Sequence, residues 1–508
     1  MNISNITEKI IKNAFYNFLI SLISRIGALF FTIIVARILF PELFGIYSLA
    51  LTIILTVATF TDLGINATLI RYLAESLKEI SEKSKKEART RLYFLLNFKI
   101  LFTLITATLL FLFSDFIALY IFKKPLLALP LKIGSIYLLV ISLHGFFNSI
   151  FYAIQKVKYS TIGEGIFQLL RIFFVFIFLK TYKSVGTVFV CLILALFISF
   201  LFLFLILYSR YNFLLKGKKI KLEKEEKKRL LSFFGWIIIS SISLVFFVHV
   251  DIFMLGIFLP AEFAGYYNAI FSIVGAAAAF VAFGSVLLPA FTQLKAGRLK
   301  HGFNKVIRYA SLIAIPASFG LAFVIVPAIK IIYGTAYVPI QYKLAITIAS
   351  ALLSFLVFEA AITAIYSALF QAREMPRIPS ILIVIATIVN IILNYVFIKI
   401  GISMALQYGL VGAAAATLLA RYSNMIGLSV LAKKNLKIKA EIKSLIKPLI
   451  ASLIMLGFLF VFDYYVTMSV WTGILMIILA ILVYFVVMLL IKGIKKEDVE
   501  ILKTVMRK

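Results

Sequence analysis

The chain has 508 residues, 63% of them hydrophobic and only 14% charged, with a mean hydropathy of +1.08. An ordinary soluble domain is roughly half apolar and about a quarter charged, so this composition excludes a soluble enzyme or binding module and defines a membrane protein. The net charge of +31 lies between apolar runs instead of beside aromatic stacking groups on one face, which argues against a nucleic-acid partner.

Apolar runs bounded by charges or turn residues predict fourteen spans, near 14–40, 43–73, 92–122, 126–154, 159–180, 184–209, 231–259, 262–293, 306–333, 338–370, 377–399, 408–432, 448–467 and 470–491. The first run is interrupted by Arg25 and is read as a span and not as a cleaved leader. Lys and Arg segregate strongly. With the N-terminus inside, 38 fall in inner connections and 8 in outer ones, which places both termini in the cytoplasm. The run KGKKIKLEKEEKKR (216–229) then reads as an inner loop lying against anionic headgroups.

The chain repeats across that loop. PELFGIYSLALTII (41–54) matches PAEFAGYYNAIFSI (260–273), with Glu42, Gly45, Tyr47 and Gly64 aligning with Glu262, Gly265, Tyr267 and Gly284 at an offset of 220. AIQKVKYS (153–160) matches LFQAREMP (369–376) through Gln155 and Gln371, and VGTV (185–188) matches VGAA (411–414). The expected organisation is an N-terminal six-helix bundle (1–215), a basic linker (216–229), a second six-helix bundle (230–435), and helices 13 and 14 with a tail (436–508). Each copy has an even number of spans, so the repeats are parallel, and two such bundles around a central cavity support alternating access.

Charged groups inside spans each need a reason, because an ionised side chain at mid-bilayer costs at least about 2.5 kcal/mol. Arg37, Arg71, Lys99 and Asp115 lie near predicted helix ends, where snorkelling to the headgroups accounts for them. Arg25 falls near mid-membrane and is a candidate for gripping phosphate oxygens, the alternative being a structural ion pair. Glu164, Gln168 and Arg171 share one helix face at i, i+4 and i+7, as either a cavity lining or a structural seam. In the second copy Asn390 aligns with Arg171 and forms an i, i+4 pair with Asn394, while Arg421 adds a third intramembrane cation. Asp251 and Glu359 are coupling-ion candidates, for a proton or a sodium ion, and Asp251 has a structural pair as its alternative. The polar break FTDLGINAT (60–68) places Asp62, Gly64 and Asn66 at an inner mouth, with Gly284 as the second-copy counterpart of Gly64.

Three stretches carry a family resemblance: SLISRIGALFFTIIVARILFPELFGIYSLAL (21–51), TDLGINATLIRYLAE (61–75) and VDIFMLGIFLPAEFAGYYNAIFSIVG (250–275). They resemble the polysaccharide exporter or O-antigen flippase family, within the superfamily of multidrug, oligosaccharidyl-lipid and polysaccharide exporters. The resemblance implies an all-α polytopic membrane protein of about fourteen helices in the plasma membrane, moving a lipid-linked oligosaccharide from the inner to the outer leaflet. Membrane lipids and other membrane proteins of polysaccharide assembly are its expected partners. Ion-coupled multidrug export and lipid II flipping are the alternatives within the superfamily. An enzyme is not expected. No outer connection exceeds about fifteen residues on these spans, and no GxxxxGK[ST] motif is present. Cys191 is the only cysteine, and His144, His249 and His301 have no ligand spacing, so no metal site and no cofactor are expected.

Overall fold

The computed structural model describes residues 3–77, 81–218, 220, 224–281, 287, 291–294, 296–466 and 469–493. Among them the protein is all-α. In chain order the helices are α1 (Ile3–Asp62), α2 (Ile65–Ser76), α3 (Glu82–Phe116), α4 (Ala128–Ala153), α5 (Val157–Thr181), α6 (Val185–Arg210), α7 (Lys224–Phe258) and α8 (Ala261–Val281). They continue with α9 (Ala296–Ile332), α10 (Lys343–Ser354), α11 (Leu356–Ala372), α12 (Arg377–Met404), α13 (Tyr408–Leu436), α14 (Lys443–Tyr465) and α15 (Val470–Leu490). Eleven stretches among the described residues are long and apolar enough to cross a membrane, and a shorter apolar segment, Ile242–Phe258, lies in α7. The stretch Phe15–Ser76 holds two of the expected spans joined at a kink.

That kink has a local cause. Proline at 41 restrains the residue before it, and Phe40 takes φ 58° and ψ 172°, so the first limb of α1 ends there and Pro41 starts the second. A second break interrupts FTDLGINAT, where Leu63 (φ 43°) and Gly64 (φ 81°) leave the helix. Asp62 Oδ1 reaches across to accept the Asn66 N–H at 3.1 Å, and so serves one of the free donors of α2. The expected bend at Gly64 is therefore a full break between helices. Gly284 lies outside the described residues. Gly64→Val should place a β-branched side chain in a left-handed conformation at a cost of about 2 kcal/mol. A lower melting temperature with unchanged membrane yield is the expected result, and an unchanged melting temperature would show that the break does not depend on glycine.

The chain divides into two compact units, residues 1–268 and 269–508. This division falls inside α8, whereas the sequence repeat turns over at the basic linker. Residues from Lys224 onward in that linker begin α7 instead of continuing a loop. In the first unit α5 packs on α1 and α6, while α4 packs on α3 and α6. A buried core of Leu69, Leu95, Phe146, Phe151, Leu203 and their neighbours lies within this unit. In the second unit α12 and α13 form the closest pair, and α9 packs on α14, which packs on α15.

The two matched motifs meet inside the first unit. A side chain at Gly45 would overlap the Ala261 carbonyl, and one at Gly265 would overlap the Pro41 carbonyl, so the second limb of α1 and the start of α8 cross backbone to backbone. Asn268 Nδ2 donates to Ser48 Oγ at 2.6 Å in the same crossing. The repeat also extends to backbone conformation. Gln155 and Glu374 both take left-handed values, φ 56° and 57°, just after α4 and α11 end. Gln155 is thus the structural counterpart of Glu374, three residues beyond the Gln371 that sequence alignment paired with it.

Candidate functional site

The first limb of α1 presents Arg25, Gly27 and Phe31 within two turns, and α5 presents Glu164, Phe167, Gln168 and Arg171 in the same way. Gly27 lets the helices approach, since a side chain there would overlap the Gln168 amide. Gln168 Nε2 donates to Glu164 Oε1 at 2.6 Å, which leaves Gln168 Oε1 buried and without a hydrogen bond among the described residues. Arg171 is only 9% exposed. Its guanidinium carbon stands 4.7 Å from the Phe31 ring centre and 5.0 Å from that of Phe167. Tyr47, Tyr137 and Glu164 are within electrostatic reach. Aromatic contacts continue outward from it, Phe31 to Tyr47 at 6.4 Å, Tyr47 to Phe189 at 5.8 Å and Tyr137 to Phe189 at 6.2 Å.

The guanidinium nonetheless lacks what such a group normally has. Nε and Nη2 are buried and make no hydrogen bond to any described residue. Cation–π contact contributes roughly 2 kcal/mol when desolvated, and it leaves the in-plane N–H donors unserved. A buried donor set of this kind suits an anion that can accept in the guanidinium plane, and a phosphate or carboxylate matches that geometry. Arg25, by contrast, is exposed on its helix.

Asp62 is not a lone mouth carboxylate. Its Oδ1 lies 3.2 Å from Lys99 Nζ, and Lys99 is 1% exposed. Lys99 therefore does not snorkel as its sequence position suggests; it is buried in an ion pair that spans α1 and α3. A hydroxyl chain runs beside it, from Thr61 to Ser142 at 3.0 Å and from Ser142 to Thr103 at 2.6 Å. Asn66 Oδ1 is buried next to these groups with no hydrogen-bond partner among the described residues. Asp251 is buried and accepts a 2.7 Å hydrogen bond from Tyr267, the counterpart of Tyr47 in the repeat. At the far end of α7, Lys124 Nζ donates to the Gly256 carbonyl and so serves the free end of that helix, while burial pushes its ammonium down to about 8.

The second unit unites two residues that were singled out separately. Glu359 on α11 and Arg421 on α13 form an ion pair, Oε2 to Nη1 at 3.9 Å, with Thr363 Oγ1 donating to Glu359 Oε1 at 2.6 Å. Arg421 also lies 5.7 Å from the Phe271 ring centre. Just before Glu359 the helix is interrupted at Phe355, whose carbonyl accepts from Tyr422 Oη at 3.1 Å, and Ser318 Oγ accepts the Phe358 N–H at 3.2 Å. Asn390 and Asn394 are fully buried on α12, joined by a 2.9 Å side-chain hydrogen bond as their i, i+4 spacing predicts. An apolar cavity of about 410 Å³ lies among α9, α14 and α15, bordered by Leu312, Pro316, Leu321, Met455, Ile477 and Tyr484.

Sequence reasoning missed Lys99, Phe31, Phe167 and Tyr267 as partners. Phe167 was accessible from its i, i+4 spacing to Arg171, and Tyr267 from its place in the repeated motif.

Long apolar helices with charged groups buried between them define a polytopic helical membrane protein, and the fold is one already seen in transporters. The structure matches a lipid II flippase, MurJ, in an inward closed conformation with a TM-score of 0.71 and 19% identity, covering 94% of this chain and 98% of that one. It also matches an inward-facing multidrug resistance transporter of the MATE family in the MOP superfamily, with a TM-score of 0.55 and 16% identity, over 83% of this chain and 96% of that one. The family model for polysaccharide biosynthesis proteins matches residues 10–295, more than half of the chain, and the chain belongs to that family. A curated relative, the probable low-salt glycan biosynthesis flippase Agl15 of Haloferax volcanii, is 26% identical over 240 residues, which is 46% of this chain and about half, 48%, of the relative's length.

Proposed function

We propose that this protein is a flippase that moves a lipid-linked oligosaccharide or polysaccharide precursor from the cytoplasmic to the outer leaflet of the plasma membrane, by alternating access of two six-helix bundles. The observation that carries this reading is Arg171. A permanently charged group is buried inside a helical bundle against two phenyl rings with donors unserved, and recognition of a phosphate-bearing headgroup gives that arrangement a purpose. Arg25 serves as an accessible first contact for the same headgroup, and the stripe from Glu164 to Arg171 lines its path. The apolar cavity among α9, α14 and α15 suits a hydrocarbon tail and offers almost nothing to a sugar.

Orientation follows the Lys and Arg bias, with both termini cytoplasmic. Asp62, Gly64 and Asn66 then stand at the inner mouth, and Asp251 and Glu359 remain the groups through which a proton or sodium ion would couple. Asn390 and Arg421 complete the second copy's share of the cavity. The relative named as a glycan biosynthesis flippase supports this substrate class. Multidrug export has the weaker support, because the carboxylates it would use for cationic drugs already hold hydrogen bonds from Tyr267 and Thr363.

Deleting the gene in its host should make lipid-linked oligosaccharide accumulate on the cytoplasmic leaflet, read by accessibility of the glycan to an impermeant probe. Wild-type protein should restore the outer pool and Arg25→Ala should not, at equal membrane abundance. An unchanged leaflet distribution in the deletion strain would rule out the flippase reading.

A further inference from the structure

The described residues just after α6, 211–218 and 220, are held against α3. Arg89 on α3 is 6% exposed, and its Nε and Nη2 donate to the Phe213 carbonyl at 3.1 and 2.6 Å while Nη1 donates to the Lys218 carbonyl at 2.6 Å. Tyr93 Oη donates to the Leu215 carbonyl at 3.0 Å, and the Ile220 N–H reaches Thr90 Oγ1 at 2.9 Å. Gly217 takes φ 122°, and a side chain there would overlap the Arg89 guanidinium, so the loop can lie this close only with glycine. Residues 212–218 and 220 are thereby clasped to one end of α3.

The clasp concentrates positive charge. Lys83 and Lys86 share the face of α3 that carries Thr90, at i, i+3 and i+7, so they flank the docked loop with its Lys218. Lys224 and Lys227 follow in the first turns of α7 and are exposed. The side-chain ammonium of none of these five lysines makes a hydrogen bond or ion pair among the described residues. Lys216 is spent on Tyr208 Oη at 2.7 Å, and Lys85 on Glu82 at 2.7 Å. Glu82, Glu87 and Glu225 are the described carboxylates in these segments, and Glu82 is committed to Lys85.

Ordering a loop costs about 1–2 kcal/mol per residue in backbone entropy, and ordering one that brings like charges within a Debye length of about 10 Å adds repulsion. A slack basic tether would attract an anionic surface without either cost. We propose that this clasp is a preformed docking surface for the headgroup of an anionic phospholipid, with Lys83, Lys86 and Lys218 holding the phosphate and Arg89 positioning the loop. The proposal does not depend on the flippase reading; only the choice of the inner leaflet rests on the orientation proposed above.

The test uses the full chain in nanodiscs of phosphatidylcholine with about a quarter phosphatidylglycerol, and counts the lipids that stay bound in native mass spectrometry. Wild type should retain phosphatidylglycerol over phosphatidylcholine. The triple variant Lys83→Gln/Lys86→Gln/Lys218→Gln should lower that preference by about fivefold per lysine. Gly217→Val keeps every charge and releases the loop, so it should weaken the preference as well; Arg89→Gln replaces it if Gly217→Val does not fold. A wild-type preference in the triple variant, or in both loop-releasing variants, overturns the proposal. So does displacement of the lipid by inorganic phosphate at millimolar concentration, which would assign the site to a soluble anion.

Discussion

Arg171→Leu should give a protein that melts at a higher temperature than wild type and no longer restores lipid-linked oligosaccharide to the outer leaflet. The two effects have one origin. Arg171 is buried with two nitrogens unserved and no carboxylate hydrogen-bonded to it among the described residues, so in the resting protein its desolvation cost is set against aromatic contact and the through-space attraction of Glu164. A buried charge carries a desolvation penalty of several kcal/mol, and removing one with no hydrogen-bonded counter-ion recovers part of it. A group retained against stability is retained for use. Arg171→Lys separates charge from shape, because an ammonium neither stacks between Phe31 and Phe167 nor donates in a plane, and it should recover only a small part of transport. Melting of detergent-solubilised protein and the leaflet assay read the two halves. A variant that melts lower than wild type and transports normally would show that Arg171 serves the fold alone.

Gly45→Ala carries the largest expected loss of stability. Its new methyl would overlap the Ala261 carbonyl oxygen, a backbone atom that cannot rotate away, so α1 and α8 must separate along the crossing. Overpacking in a tight core costs about 1–3 kcal/mol, and the rigidity here points to the upper end. Gly265→Ala should do the same through the Pro41 carbonyl. Because either methyl already parts the helices, the double variant should cost well under the sum of the singles. Melting of the four proteins measures this, and strict additivity would show that the two glycines do not share one contact.

The spans were legible because a run of about twenty apolar residues has few other uses, and the break at Phe40 because Pro41 announces it. FTDLGINAT was legible as a break for its polarity, yet the depth of the interruption needed the backbone angles of Leu63 and Gly64. Other features left no local mark. The interruption at Phe355 lies in LLSFLVFE, which contains neither glycine nor proline, and is held by Tyr422 and Ser318 from other helices. Lys99 looked like a residue near a helix end because distance along the chain says nothing about Asp62 on a neighbouring helix. Linker residues from Lys224 read as a solvated charge run, although KEEKKR also holds the Glu and Lys spacing that supports a helix. Within the candidate site, the α5 stripe was visible from spacing, whereas the rings on either side of Arg171 come partly from α1 and were not.

The crossing of α1 and α8 has a consequence for how the two copies could diverge. Residues 220 positions apart meet there. Gly45 faces Ala261 as Gly265 faces Pro41, and Ser48 bonds to Asn268. Such reciprocity is the signature of an isologous interface, in which a surface meets its own image about a two-fold axis. Two identical chains joined this way would be obliged to place serine against serine or asparagine against asparagine. A single fused chain is released from that obligation, and here it sets a donor opposite an acceptor while keeping glycine on both sides, where only the smallest residue can pass.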